Sequence, residues 1–288
     1  MPARRVKRPN IGRPGDPLPA GRMPSRWRFA VVLAAVVWSA GCATTRPGHV
    51  AADLGLDGNS PILCDHANQY SAQGLVRLGG GLAAAAVWAN SGADDQFQYW
   101  YQSRMAGDDG DTVAHVFKRL GDGNYVLPVL AGALLAGEVA GDSPACECMG
   151  DWGDRSLRAA LVGAPPLLFA QVATGASRPE EEKGPNWHPF QDENGASGHA
   201  FIGAIPLITA AQMSDDPLTK AGCYFASTLA AWSRIHDDSH YASQAALGWW
   251  LAYAACSAVN ETEQDHQLFE LTPVPLADGL GIGIILRR

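Results

Sequence analysis

From residue 66 to residue 260 the chain presents one apolar helical segment after another and no sustained strand alternation, which restricts the fold to helix packed on helix. Tyr70 to Asn90 is rich in Ala and Leu, and Asp94 to Met105 gathers Phe97, Tyr99, Trp100 and Tyr101. Asp111 to Leu120 sets Val113, Val116, Phe117 and Leu120 at helical spacing. Val126 to Ala140 and Ser156 to Thr174 are longer apolar stretches, the second interrupted by Pro165-Pro166, and Gly198 to Met213, Pro217 to Ser233 and His240 to Val259 complete the set. Several of these are apolar on every side, the mark of a helix inside a bundle or of a membrane span. Their uninterrupted runs fall short of the ~20 residues a span needs. The expectation is an all-α protein: a single helical bundle over 66–260, with its site between helix ends. Leu271 to Leu286, punctuated by Gly and Pro, should form a short irregular or β-like tail within 261–288.

The ends carry a different message. Eight basic residues and one acid precede Phe29, so the rest of the chain, with 13 basic and 28 acidic residues, has a net charge of −15. A body so acidic repels the phosphate backbone of nucleic acids, which excludes them as partners. Phe29 to Gly41 is thirteen mostly apolar residues ending in small ones, the layout of a secretory signal peptide, with Met23 as an alternative start. Ser39-Ala40-Gly41-Cys42 resembles the lipobox of bacterial lipoproteins, although Ser39 stands where that family usually has Leu. The resemblance implies cleavage after residue 41, acylation of Cys42 and attachment to the periplasmic side of a bacterial membrane. Residues 42–65, a mix of Gly, Pro and Asp with little periodicity, read as a tether.

Five further cysteines follow, Cys64, Cys146, Cys148, Cys223 and Cys256, an odd number for a compartment that permits disulfides. Cys146 and Cys148 fall in a Gly/Asp/Pro-rich stretch at 141–154 that reads as a loop. No second Cys or His pair accompanies them, which argues against zinc.

Three short clusters carry the chemistry: Arg178-Pro179, then Ser197-Gly198-His199, then Ser233-Arg234 with His240 six residues on. Planar guanidiniums grip phosphate oxygens through paired, charge-assisted hydrogen bonds, which makes Arg178 and Arg234 the natural clamps. Ser197 is a good N-cap for a helix opening at Gly198, and such a helix start offers free N–H groups to an anion. His240 follows Asp237-Asp238-Ser239, so it should open the last long helix. Histidine titrates near neutrality and suits proton transfer.

The order and spacing of these clusters resemble the signature of the type 2 phosphatidic acid phosphatase and vanadium haloperoxidase superfamily: Lys-x₆-Arg-Pro, Pro-Ser-Gly-His and Ser-Arg-x₅-His-x₃-Asp. Here the signature reads Gln171-x₆-Arg178-Pro179, Ala196-Ser197-Gly198-His199 and Ser233-Arg234-x₅-His240-x₃-Gln244. The resemblance implies a phosphoric ester hydrolase with no cofactor, in which His240 attacks phosphorus and forms a phosphohistidine. His199 would protonate the leaving oxygen, while Gln171, Arg178, Ser197, Gly198 and Arg234 would bind the phosphate. It implies a phosphorylated small molecule, a lipid phosphate or a lipid pyrophosphate as substrate. Vanadate mimics phosphate in such a pocket, so a vanadium-dependent haloperoxidase is the alternative enzyme.

Three positions depart from the family. Gln171 removes a cation that Lys183 is placed to replace, and Ala196 loses only a ring. Gln244 replaces the Asp that orients the nucleophile, and its amide can offer His240 either an oxygen or an NH₂. A catalytically weakened phosphate- or lipid-binding lipoprotein is therefore a second alternative, and a purely structural envelope protein a third. Simpler readings stand beside these: His236 and His240 as a metal pair, His188 as a loop residue, Glu180 to Glu182 as a solvated run, and Phe97 to Tyr101 as core packing or the lining of an acyl-chain groove.

Overall fold

The computed structural model describes residues 60–140, 143–276 and 279–286. The leader, Met23, Cys42 and the tether as far as residue 59 lie outside the described residues.

The protein is all-α. Its helices are α1 (Pro61–Gln69), α2 (Ala72–Asn90), α3 (Ala93–Arg104), α4 (Asp108–Leu120), α5 (Gly123–Val139), α6 (Pro144–Thr174), α7 (Gly198–Met213), α8 (Pro217–Ser227), α9 (Leu229–His236) and α10 (Ala242–Leu268). The tail is a hairpin of β1 (Phe269–Leu276) and β2 (Gly279–Leu286), antiparallel, with Phe269 opposite Leu286.

The apolar period places the core where the sequence implies. Phe201, Ile205 and Ile208 of α7 pack with Leu247, Leu251, Ala255 and Val259 of α10, against Leu167 and Ala170 of α6 and Leu78 and Ala85 of α2. A second cluster joins Val126, Leu130 and Ala133 of α5 to Trp152 of α6 and Ala210 of α7. Among the described helices α6 alone is long and apolar enough to cross a membrane. Its inner face, with Ala159, Val162, Leu167 and Ala170, is buried in this core.

Five features differ from the sequence expectation. The stretch read as tether ends in α1, because Asp65 is fully buried and receives Nε and Nη2 of Arg158 at 2.8 Å each. Leaving one such partner uncompensated costs ~3–5 kcal/mol, enough to hold α1 in place. The supposed loop at 141–154 is mostly helix, opened by Pro144 at a first-turn position where its missing N–H costs nothing. Gly150 serves packing: a Cβ there would lie 3.0 Å from the Gly137 Cα of α5, so the two backbones touch. Pro165-Pro166 do not interrupt α6, and α10 runs past residue 261 to Leu268. Finally, Pro217 to Ser233 is two helices that meet at Thr228, whose hydroxyl donates to the Phe225 carbonyl at 2.7 Å.

Candidate active site

The three clusters meet at Gln244, in the first turn of α10 and fully shielded from water. Its backbone carbonyl accepts the Ser197 N–H at 2.9 Å, its Nε2 donates to the Ser177 carbonyl at 2.7 Å, and its Oε1 lies 3.0 Å from His240 Nδ1. One residue thus ties the segment before Arg178, the start of α7 and the third cluster into a single assembly.

The same bonds settle which way the amide points. Ser177 offers only a carbonyl oxygen, so the NH₂ must face it, and the Tyr241 N–H, 3.1 Å from Oε1, needs an acceptor. Oε1 therefore faces His240, and Nδ1 carries the proton. The other ring nitrogen, Nε2, then bears the lone pair. Gln244 fixes the tautomer as a carboxylate would, without supplying a charge.

At the second cluster, Ser197 caps α7 by accepting the Ala200 N–H on its Oγ at 3.3 Å. The Gly198 and His199 amides make no hydrogen bond among the described residues, which leaves two donors at the positive end of the helix. Gly248 lets α10 approach this corner, since a Cβ there would lie 2.2 Å from the Ser197 oxygen. Gln171 donates to the Ala196 carbonyl at 3.0 Å and sits beside Gly198, bracing the corner as a neutral residue. Lys183 does not replace the missing cation: it is exposed and pairs with Glu181 at 3.0 Å and Asp192 at 3.7 Å.

Arg234 is 6% exposed, yet its Nε and Nη1 find no hydrogen-bond partner. Its nearest acid, Asp237, stands 3.6 Å from Nη1 and is shared with Lys118 at 3.0 Å. Burial pushes its pKa down, and the neighbouring Arg178 charge adds to this while Asp237 opposes it. Arg178 precedes the short 3₁₀ turn Pro179–Glu181, with Nε donating to Asn194 Oδ1 at 2.8 Å and Nη1 near Glu180 at 3.4 Å.

Both imidazoles are held neutral. Burial first, then the charges of Arg234 and Arg178 and the proximity of His199, push His240 down to about 3 against the opposing Gln244 bond. His199, half-buried, is lowered by desolvation and by Arg234, Lys118 and Arg178, with Asp122 pulling the other way. His240 stands two residues before α10, as its N-cap-like surroundings imply, and its N–H returns to the Arg234 carbonyl at 3.2 Å.

Gln171, Arg178, Ser197, Gly198, His199, Arg234, His240 and Gln244 thus belong to one constellation. The metal reading of His236 and His240 fails: His236 turns to Tyr101 and Asp111, His240 to Gln244. Among the described residues no group of three or more His, Cys, Asp or Glu could hold a metal ion. Sequence reasoning missed Asn194, which aims Arg178, and Asp237, which steadies Arg234; both act from loops without periodic signal. Comparison with family models, with curated proteins and with solved structures finds no match to this chain.

Proposed function

We propose that the protein is a phosphohydrolase that cleaves a phosphomonoester or a lipid phosphate or pyrophosphate through a phosphohistidine, exported and tethered to a bacterial membrane through Cys42. The observation that carries this reading is Arg234, a buried cation with two nitrogens unsatisfied, beside a second guanidinium, two neutral imidazoles and an uncapped pair of amides. A buried unpaired donor costs ~1–3 kcal/mol, more when charged, and an anion bound there relieves it.

A tetrahedral phosphate engages Arg234, Arg178 and the Gly198 and His199 amides, which spread over its oxygens the charge that builds up during transfer. The lone pair on His240 Nε2 forms the N–P bond as the ester P–O bond breaks. The departing oxygen takes a proton from His199, whose pKa the bound phosphate raises by its negative charge. Water then loses a proton to His199 and attacks phosphorus, the N–P bond breaks, and orthophosphate leaves with His240 neutral again. Throughout, Nδ1–H stays on Gln244 Oε1. No step draws on a metal ion.

The test is orthophosphate release from p-nitrophenyl phosphate and from phosphatidic acid vesicles by the purified full chain with EDTA present. His240→Ala and Arg234→Ala should abolish turnover, and vanadate should inhibit as a phosphate mimic. Full activity in His240→Ala refutes the assignment.

A further inference from the structure

α3 looks from its sequence like an aromatic core helix, yet its buried side chains are Asp94 and Gln98. Of its aromatics, Tyr99 and Trp100 face outward, Tyr99 at 70% exposure. What α3 turns inward is a row of polar groups at 94, 98, 101 and 102, successive turns of one helix face.

Every member of the row bonds to the same short stretch of chain. Asp94 Oδ1 accepts the Ser243 N–H at 3.2 Å, and Gln98 Nε2 donates to Asp238 Oδ1 at 2.7 Å. Tyr101 OH meets His236 Nδ1 at 3.0 Å, and Gln102 Nε2 donates to the Ile235 carbonyl at 2.7 Å. That stretch, 235–243, joins Arg234 to His240 and to the turn of α10 that carries Gln244. At its middle Asp238 adopts φ +57, a left-handed conformation that costs a residue other than Gly free energy unless its surroundings hold it. Hydrogen bonds are directional where apolar contact is not, so this row fixes the stretch in position and rotation as a greasy face would not.

We infer that Asp94, Gln98 and Gln102 are positioning residues of the phosphate site: the inward face of α3 is a polar splint that holds the turn between Arg234 and His240 so that His240 Nε2 meets a phosphate gripped by Arg234. The inference rests on the proposed hydrolase reading for its consequence in turnover, and on geometry alone for its consequence at the His240 ring.

The experiment therefore uses two readouts on the full chain: kcat and KM for p-nitrophenyl phosphate, and the rate at which diethylpyrocarbonate modifies His240, followed by mass spectrometry. Gln98→Ala and Gln102→Ala should each lower kcat ~10- to 100-fold while KM moves less than ~3-fold, since misplacement on the scale of 1 Å costs that much. Both should speed modification of His240 severalfold by loosening the turn. Gln98→Glu sets two carboxylates against each other and should be the worse variant. Adding Asp238→Asn, which reverses donor and acceptor, should restore both readouts, an outcome that loss of helix stability alone would not give. Tyr99→Ala, on the outer face, should behave as the unchanged protein.

If Gln98→Ala fails to fold, the rescued pair and Gln102→Ala carry the test. Unchanged kcat and unchanged His240 modification in both glutamine variants overturn the splint while leaving the hydrolase reading intact. If the unaltered protein releases no phosphate but His240 modification still responds to Gln98→Ala, the hydrolase reading falls and the splint stands.

Discussion

Replacing Gln244 by Glu alters one buried atom and so tests the account of the site directly. The Nε2 that donates to the Ser177 carbonyl at 2.7 Å becomes a second acceptor facing an acceptor. The side chain has no access to water, so the carboxyl relieves the conflict by keeping a proton on that oxygen. The protonated form reproduces the amide: O–H to Ser177, carbonyl oxygen to His240 and Tyr241. Burial of this kind raises a carboxyl by roughly 3 units from its usual value of about 4.3. The fold then favours the protonated form, whereas the unfolded chain ionises freely above about pH 4.3. Stability is thus untouched at low pH and falls by about 1.4 kcal/mol per unit as pH rises toward about 7, some 4 kcal/mol in total. The guanidiniums of Arg178 and Arg234, which both act on His240, favour the ionised form and make this an upper figure. Denaturant titrations of Gln244→Glu and the unaltered protein at pH 4.5 and 7.5 measure it. The two should match at the lower pH and diverge at the higher. An equal difference at both would show that the residue does not face Ser177 as described.

Three further outcomes follow from the geometry. Arg234→Leu removes a buried cation two of whose nitrogens make no hydrogen bond, so thermal stability without ligand should hold or rise by ~1–4 kcal/mol while phosphate binding by calorimetry is lost. In the proposed mechanism a productive encounter needs His240 neutral, true above about pH 3, and His199 protonated, which its depressed pKa in the ligand-free protein restricts to acid. The pH profile of kcat/KM for phosphate release should therefore peak on the acid side of neutrality, and a peak in alkali would contradict the roles given to the two rings. Gly248→Ala puts a Cβ 2.2 Å from the Ser197 oxygen, and the forced shift should cost ~1–3 kcal/mol in denaturant titration and weaken phosphate binding.

The helices and the residues of the three clusters were legible in the sequence because both rest on local pattern. Apolar period placed α2, α4, α5 and α7 to within a few residues, and three ordered clusters named the groups that meet. What escaped depended on partners far along the chain. Residues 61–65 read as tether because Arg158, which buries Asp65, lies 93 residues away. Gly150 and Pro144 read as loop because composition does not show that α5 presses against them. Phe97 to Tyr101 read as core because the polar row beside them bonds to residues more than 130 positions on. The orientation of the Gln244 amide was undecided for the same reason: Ser177, which decides it, is 67 residues upstream.

Because Gln244 ties its three neighbours together from the last long helix, the candidate site comes together late in synthesis. A growing chain acquires Arg178, His199 and Arg234 while still lacking the residue that gathers them. A nascent or truncated chain ending before α10 carries both arginines and both imidazoles of the candidate site without the residue that holds them together, so the site is complete only once the whole bundle has closed.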